Sequence, residues 1–295
     1  NSASANPPKP MIVYLNGEYL TADQAKISPL DRGFLFGDGI YEAIPSYNGR
    51  AVALQLHIDR MQRGLDAIGI DNPMTDEAWK SVANELSERN GGGNLGIYFH
   101  VSRGNEGRRM HRFPAGIPPT VFATVLEIAP PPPFPDRRTE KGFRAGTAED
   151  QRWNHCDIKS TALLGNLLHY QQSHEAGLDE TILYNQAGEI TEASSSNVFV
   201  VINREVATPP LDNQKLPGIS RHICLESLRA DASLPVSERE VTIDEAREAE
   251  EIWLTNSSKR IVPVVEMDGK LIGDGQVGEV WEKALRIYEA AQYDF

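Results

Sequence analysis

Four groups of residues in this chain have the types and spacing to do chemistry. Lys159 stands in Cys156-Asp157-Ile158-Lys159-Ser160-Thr161, just ahead of the apolar run Leu163, Leu164, Leu167 and Leu168. A lysine at the start of an apolar helix has its ammonium form disfavoured, the condition for an amine that attacks a carbonyl and forms a Schiff base. A solvated surface lysine is the plainer reading. Glu192 precedes Ser194-Ser195-Ser196-Asn197 and the apolar run Val198 to Ile202. This is either a hydrophilic turn whose Ser and Asn bond their own backbone, or a carboxylate that keeps a heteroaromatic nitrogen protonated, as an electron-sink cofactor requires. Leu216-Pro217-Gly218-Ile219-Ser220-Arg221 and Thr255-Asn256-Ser257-Ser258 offer backbone N–H groups and hydroxyls. They are ordinary caps, or together a cradle for a phosphate at a helix start. The Walker pattern Gly-x-x-x-x-Gly-Lys is absent.

The fourth group is Arg103, Arg108, Arg109, His111 and Arg112, a concentration of positive charge in a chain with 42 acidic and 29 basic residues. The net charge of −13 argues against nucleic acid, whose backbone binds positive surfaces. It also makes a local arginine cluster informative, because a guanidinium fork beside an imidazole suits a carboxylate ligand better than lysine does. A solvated loop is the alternative. The seven histidines show no His-Glu-x-x-His spacing, so no metal centre is expected.

The elements that must position these residues can be traced along the chain. Its 295 residues, 40% of them apolar, allow two domains with ordinary cores. Asn16-Gly17 between apolar alternations predicts a hairpin over Met11 to Leu20. Leu30 to Gly39, with glycines at 33, 37 and 39, reads as a turn-rich loop. Leu54, Ile58, Met61, Leu65 and Ile68 form a helical stripe, with His57 and Arg60 off it, and a second helix follows the N-cap Thr75 up to Asn90. Leu95 to Arg103 and Thr120 to Ile128 read as strands. Five prolines between Pro130 and Pro135 cannot sustain a strand ladder, so 129–138 is expected to be a linker between domains over 11–128 and 139–295. The second half predicts a helix over Thr161 to Ala176, strands near Thr181 to Tyr184, Val198 to Ile202 and Ile252 to Thr255, and helices from Gly218 and over Val277 to Ala291. Interspersed strands and helices suggest α/β or α+β domains with a site in the cleft between them. No run of about 18 apolar residues exists, the polar stretch Asn1 to Pro10 lacks the apolar core of a secretory signal, and Cys156 and Cys224 are too few for a disulfide framework. A cytoplasmic protein without membrane contact is expected. Residues 1–10 are left out of the site.

Taken in order, Asp31-Arg32-Gly33, Phe36-Gly37-Asp38-Gly39-Ile40-Tyr41-Glu42, His57-Ile58-Asp59-Arg60, Asp157-Ile158-Lys159-Ser160, Thr191 to Phe199 and Gly218-Ile219-Ser220-Arg221 resemble the fold-type IV, or class IV, pyridoxal-phosphate aminotransferases. Tyr41, Arg109 and His111 resemble the carboxylate-holding set of the D-amino acid aminotransferase branch. The resemblance implies a smaller N-terminal α/β domain and a larger C-terminal domain with a barrel-like sheet. It implies pyridoxal 5'-phosphate in the interdomain cleft and a homodimer. The activity implied is transfer of an amino group between D-amino acids and 2-keto acids such as pyruvate or 2-oxoglutarate, by a ping-pong mechanism. In that scheme Lys159 is the Schiff-base lysine and proton shuttle, and Glu192 pairs with the pyridinium nitrogen. Arg60, Ile219, Ser220, Asn256 and Ser257 hold the phosphate, while Leu216 packs under the ring. The Arg-rich loop is one residue longer than in relatives, so Arg108 could take the place of Arg109. Ser220 and Ser257 stand where relatives often have threonine. The alternatives of the same fold are 4-amino-4-deoxychorismate lyase, R-selective amine transaminase and branched-chain aminotransferase; a non-catalytic ligand-binding protein is the alternative outside enzymes.

Overall fold

Asn16 and Gly17 adopt left-handed φ values of 48° and 95°, which a tight hairpin turn requires and Gly supplies without strain. They join β1 (Ile12–Leu15) to β2 (Glu18–Thr21). The protein is described from a computed structural model over residues 9–295. The polar opening set aside above falls largely outside those residues. The chain divides into two units, one running through Leu54 and again over Ile58–Ala129, the other comprising Gln55–His57 and Pro130–Phe295.

In the first unit α1 (Arg32–Phe36) is followed by β3 (Gly39–Tyr47), β4 (Arg50–Ala51), α2 (Leu54–Ile68), α3 (Asp76–Arg89), β5 (Leu95–Ser102) and β6 (Thr120–Glu127). The sheet order is β2-β1-β6-β5-β3-β4. The apolar stripe of α2 becomes its packing face: Ile58, Met61 and Leu65 are fully buried, each contributing about 1.5–3 kcal/mol by leaving water. Gly64 on the same helix lets Ile40 of β3 approach so closely that an added Cβ would meet it at 3.2 Å. Thr75 caps α3 by accepting from the Ala78 N–H, and Trp79 of that helix packs on Phe99 of β5 with ring centroids 4.8 Å apart. One sequence expectation fails here. The stretch from Leu30 to Gly39 is not all loop, since it contains α1, which Asp31 caps at the start and Gly37, at φ 64°, ends.

The second unit consists of β7 (Phe143–Glu149), α4 (Leu164–Glu175), β8 (Glu180–Tyr184), β9 (Ile190–Ala193), β10 (Asn197–Ile202), β11 (Glu205–Thr208), α5 (Ile219–Asp231), β12 (Val236–Glu238), α6 (Ile243–Arg247), β13 (Glu251–Asn256), β14 (Arg260–Met267), β15 (Lys270–Leu271) and α7 (Glu279–Ala291). Its nine-stranded sheet runs β12-β11-β10-β13-β14-β7-β8-β9, with β15 on β14. Five strand spacings separate β10 from β9 along that order, about 24 Å if the sheet were flat. Yet Ala193 and Asn197 are four residues apart, a reach of at most about 14 Å. The sheet must therefore curl back on itself, the barrel-like form expected from the family resemblance. Among the described residues no helix is long and apolar enough to cross a membrane.

Candidate active site

Glu192 lies on β9, the short strand that runs into the Ser194–Ser196 turn, and is almost fully buried. A buried carboxylate needs donors, and this one has three. Arg152 Nη1 donates to Oε1 at 2.5 Å. Asn197 Nδ2 and the Leu216 N–H donate to Oε2 at 3.1 and 3.0 Å. A carboxylate has about four acceptor positions, so among the described residues one is left over for a further donor. Burial pushes Glu192 up to about 7 in spite of Arg152 and the Leu216 N–H. A cationic ring N–H set against it would hold the proton on the ring side and return the carboxylate to its charged form.

Arg152 is the functional residue that sequence reasoning missed. Its side chain is 3% exposed and is gripped from behind by Asp150, which accepts from Nε at 3.0 Å and Nη2 at 2.8 Å. Asp150 also accepts from the Thr191 hydroxyl at 2.7 Å. Thr191, Asp150, Arg152 and Glu192 thus form a chain of hydrogen bonds and ion pairs that fixes where the Glu192 oxygens sit. Burial alone would raise Asp150, but the hydrogen bonds from Arg152 and Thr191 bring it below its usual 3.8. A depressed carboxyl contributes stability that is present above the unfolded value and lost as pH falls through the lower folded value. Asp150→Asn is therefore expected to lower the melting temperature at pH 7, with the gap to wild type closing as the pH is taken below about 3.8. A gap that stays constant with pH would contradict this pairing.

The remaining candidates of this unit follow on from Asn197. Its Nδ2 also donates to the Leu216 carbonyl at 2.9 Å. Its Oδ1 lies where a Cβ on Gly218 would come within 2.1 Å, so no larger residue fits there without moving Asn197. Gly218 is the N-cap of α5 and gives it no side-chain cap, which leaves the first-turn N–H groups of Ile219 and Ser220 directed out of the helix end. Ser220 Oγ donates to the Asn256 carbonyl at 3.0 Å and accepts from Tyr288 Oη at 3.2 Å. Asn256 in turn donates to Ser196 Oγ at 3.1 Å. Thr255 stands directly opposite Asn197 in register, and its hydroxyl is buried without a hydrogen-bond partner among the described residues. Ser257, next along, is half-buried. Glu192, Asn197, Leu216, Ser220 and Asn256 are therefore linked into one patch of this unit, with Ile219 and Ser257 their neighbours in sequence.

Lys159 is placed differently from the expectation. α4 begins only at Leu164, so the half-buried lysine lies in the loop ahead of the helix and the helix-dipole argument does not apply to it. Nor does an apolar core surround it through the leucines: Leu164, Leu167 and Leu168 are all more than half exposed. The loop is instead pinned to the segment that leads into Leu216. The Cys156 N–H donates to the Asn213 carbonyl at 2.9 Å, Asn213 Nδ2 to the Asn154 carbonyl at 3.1 Å, and Arg152 Nη2 to the Gln214 carbonyl at 3.1 Å.

In the first unit the candidates fall into three groups. Arg60, off the apolar stripe of α2 but buried, forms a two-pronged pair with Glu42, both prongs 2.7 Å. Tyr41 packs on Tyr98 with centroids 5.8 Å apart, and Tyr98 Oη is 2.8 Å from His100 Nδ1. Burial and the neighbouring Tyr41 push the Tyr98 hydroxyl up to about 12, and burial lowers His100. Strand alternation puts Tyr98 and His100 on the face opposite the buried Ile97, Phe99 and Val101. The third group gathers on Phe36: the Arg109 guanidinium lies 4.9 Å from its ring centroid and the His111 ring 5.6 Å away. Arg108 faces Glu106 instead, at 3.6 Å. Arg103 leaves the expected anion-binding cluster altogether, buried against Asp38 and the carbonyls of Ile68 and Gly69.

The family model for class IV amino-transferases matches residues 39–267, a span that holds Tyr41, Arg60, Lys159, Glu192 and the whole α5 patch. The D-alanine aminotransferase of Staphylococcus haemolyticus is 36% identical over 269 residues, 91% of this chain and 93% of that protein. The D-alanine aminotransferase of Bacillus licheniformis is 37% identical over 268 residues, 91% and 92% of the two chains. The branched-chain amino acid aminotransferase of Thermobaculum terrenum, solved in its PLP-form, superposes with a TM-score of 0.84 over 97% of this chain and 94% of that one at 19% identity, a likeness of fold. With that span, those identities and a curled sheet carrying a buried carboxylate, the chain belongs to the class IV aminotransferases.

Proposed function

We propose that this class IV aminotransferase moves amino groups between D-amino acids and 2-keto acids, pyruvate and 2-oxoglutarate among them, with pyridoxal 5'-phosphate as cofactor. The observation that carries the cofactor reading is the Glu192 carboxylate, buried, held by three donors and with one acceptor position to spare; the similarity to D-alanine aminotransferases supports the D-amino acid donors. The orphaned Thr255 hydroxyl and the uncapped start of α5 support a phosphate beside it. When bound, the cofactor supplies an aldehyde that takes up the amino group and a pyridinium ring that draws electrons from the substrate Cα.

The protein's own residues do the rest. Glu192 holds the ring nitrogen protonated, Leu216 packs under the ring, and Ile219, Ser220, Asn256, Ser257 and Arg60 hold the phosphate, with Glu42 fixing the Arg60 fork. Lys159 is the nucleophilic amine and the base that moves the proton at Cα. Tyr41, Arg109 and His111 hold the substrate carboxylate, and the separation of Arg108 toward Glu106 favours Arg109 in this role. Two half-reactions in turn, with the first product leaving before the second substrate enters, give ping-pong kinetics. Residues 129–138 act as a linker between domains over 11–128 and 139–295. The exposed Leu164, Leu167 and Leu168 of α4 support a homodimer, since a second copy would cover them; a monomer by light scattering at working concentration would rule that out. Two buried, unpaired cysteines suit a cytoplasmic setting.

The test is a panel of amino donors with 2-oxoglutarate as acceptor. D-Alanine is expected to yield pyruvate and D-glutamate, far faster than L-leucine or (R)-1-phenylethylamine are turned over. Preference for L-leucine would make the chain a branched-chain enzyme, preference for the amine an R-selective amine transaminase, and pyruvate release from aminodeoxychorismate a lyase. No turnover of any of them would overturn the proposed activity.

A further inference from the structure

α1 is only five residues long, far too short to be stable on its own, yet its start is tied down by several contacts. Asp31 accepts from the Gly33 N–H at 2.8 Å, the Ser102 hydroxyl at 2.6 Å and the Thr120 hydroxyl at 2.6 Å. The Arg32 N–H donates to the Gly104 carbonyl at 2.9 Å. A Cβ on Gly33 would lie 2.8 Å from that of Ser102, so the helix sits directly on the end of β5. Such an investment needs a purpose, and the side chains of Arg32 and Phe36 indicate one.

Arg32 and Phe36 are four residues apart and so share a helix face. The Arg32 guanidinium, 3% exposed, is oriented by Asp38 at 2.8 Å. It donates to three consecutive main-chain carbonyls: those of Met110, His111 at 3.3 Å and Arg112 at 3.4 Å. Asp38 also anchors Arg103 at 2.8 Å, and Arg103 lies 3.5 Å from the Phe113 ring centroid at the far end of the same loop. Phe36 carries side chains of that segment and of the residue just before it, since His111 and Arg109 both rest on its ring. Glu106, its side chain 7% exposed, lies 3.6 Å from Arg108 and 3.8 Å from Arg112 through one oxygen and 3.7 Å from Arg32 through the other, so the two flanking arginines face a carboxylate that Arg32 also holds.

We propose that Arg32 and Phe36 are the positioning residues of the substrate-carboxylate site: Arg32 sets the backbone of 110–112, and Phe36 sets the directions of Arg109 and His111. This rests on the reading of Arg109 and His111 as the carboxylate-holding pair. Neither α1 residue touches the substrate. The motif from Asp31 to Asp38 is then a scaffold for substrate affinity rather than a cofactor loop.

The test uses the cofactor-loaded enzyme with D-alanine and 2-oxoglutarate. Arg109→Gln serves as the control for the underlying reading and is expected to raise the KM for D-alanine. Phe36→Leu keeps an apolar side chain but removes the ring. It should raise that KM about five- to tenfold with kcat changed less than about twofold, while Phe36→Tyr restores wild-type KM. Arg32→Lys should speed amide hydrogen exchange in the peptide spanning 105–113 while leaving α5 unchanged. If Arg109→Gln raises KM but Phe36→Leu does not, or if Phe36→Tyr is as impaired as Phe36→Leu, the positioning role is wrong and the carboxylate site stands. If exchange over 105–113 is unaltered in Arg32→Lys, Arg32 does not hold the loop. If Arg109→Gln leaves KM unchanged, the carboxylate site itself is misplaced and the positioning role falls with it.

Discussion

Exchanging Lys159 for alanine is expected to lower kcat by at least about 10³-fold, because in the proposed mechanism one amine serves both as nucleophile and as the base at Cα. The loss should be chemical rather than structural. Lys159 is half-buried in a loop whose ties run through Cys156, Asn154 and Arg152, so truncating its side chain leaves those bonds in place. The visible absorbance of lysine-bound cofactor should disappear. Borohydride reduction followed by peptide mass spectrometry gives the same answer independently: the cofactor mass should be found on the peptide containing residue 159 in the wild type and on no peptide of the variant. Retention of turnover by Lys159→Ala would remove this lysine from the mechanism.

Glu192→Gln should cost about 10²-fold or more in kcat, with weaker cofactor binding. The surroundings of Glu192 show why this near-isosteric change is severe. Both carboxylate oxygens are met by donors, Arg152 on one and Asn197 with the Leu216 N–H on the other. An amide must turn its NH₂ toward one of those sides and set donor against donor, at about 1–3 kcal/mol for the group left unpaired. It also withdraws the negative charge that Arg152 faces and that, in the proposed mechanism, a protonated ring nitrogen would share. Glu192→Asp, which keeps charge but shortens reach, should recover part of the activity. Full activity in Glu192→Gln would mean that the carboxylate is structural and that the cofactor ring lies elsewhere.

Much of this was open to reading in the residues, and the parts that were not have physical causes. Asn16-Gly17 demanded positive φ, and the stripe from Leu54 to Ile68 had one packing solution, so the first hairpin and α2 follow from local chemistry. α1 was hidden because Gly33 and Gly37 are poor helix formers, and its order comes from Ser102, Gly104 and Thr120, far along the chain. β14 carries Pro263, which argues against a central strand; it is tolerated because Pro263 faces Trp253 of β13 while the pairing with β7 starts at Val264. In the site, Glu192, Asn197 and Gly218 stood out by type. Arg152 did not, since its partner Glu192 is 40 residues away and no spacing rule joins them. The leucines of α4 misled for a similar reason: their apolar periodicity signals a buried face, and in the single chain that face is exposed.

The most direct measurement is a single turnover with no keto acid present. Cofactor-loaded enzyme is mixed with D-alanine alone, and with L-alanine in parallel, and pyruvate is quantified against active sites. A D-amino acid transaminase releases one burst of pyruvate equal to the sites with D-alanine and stops, then turns over again when 2-oxoglutarate is added. Continuous pyruvate formation without a keto acid, no pyruvate at all, or an equal burst with L-alanine would contradict it.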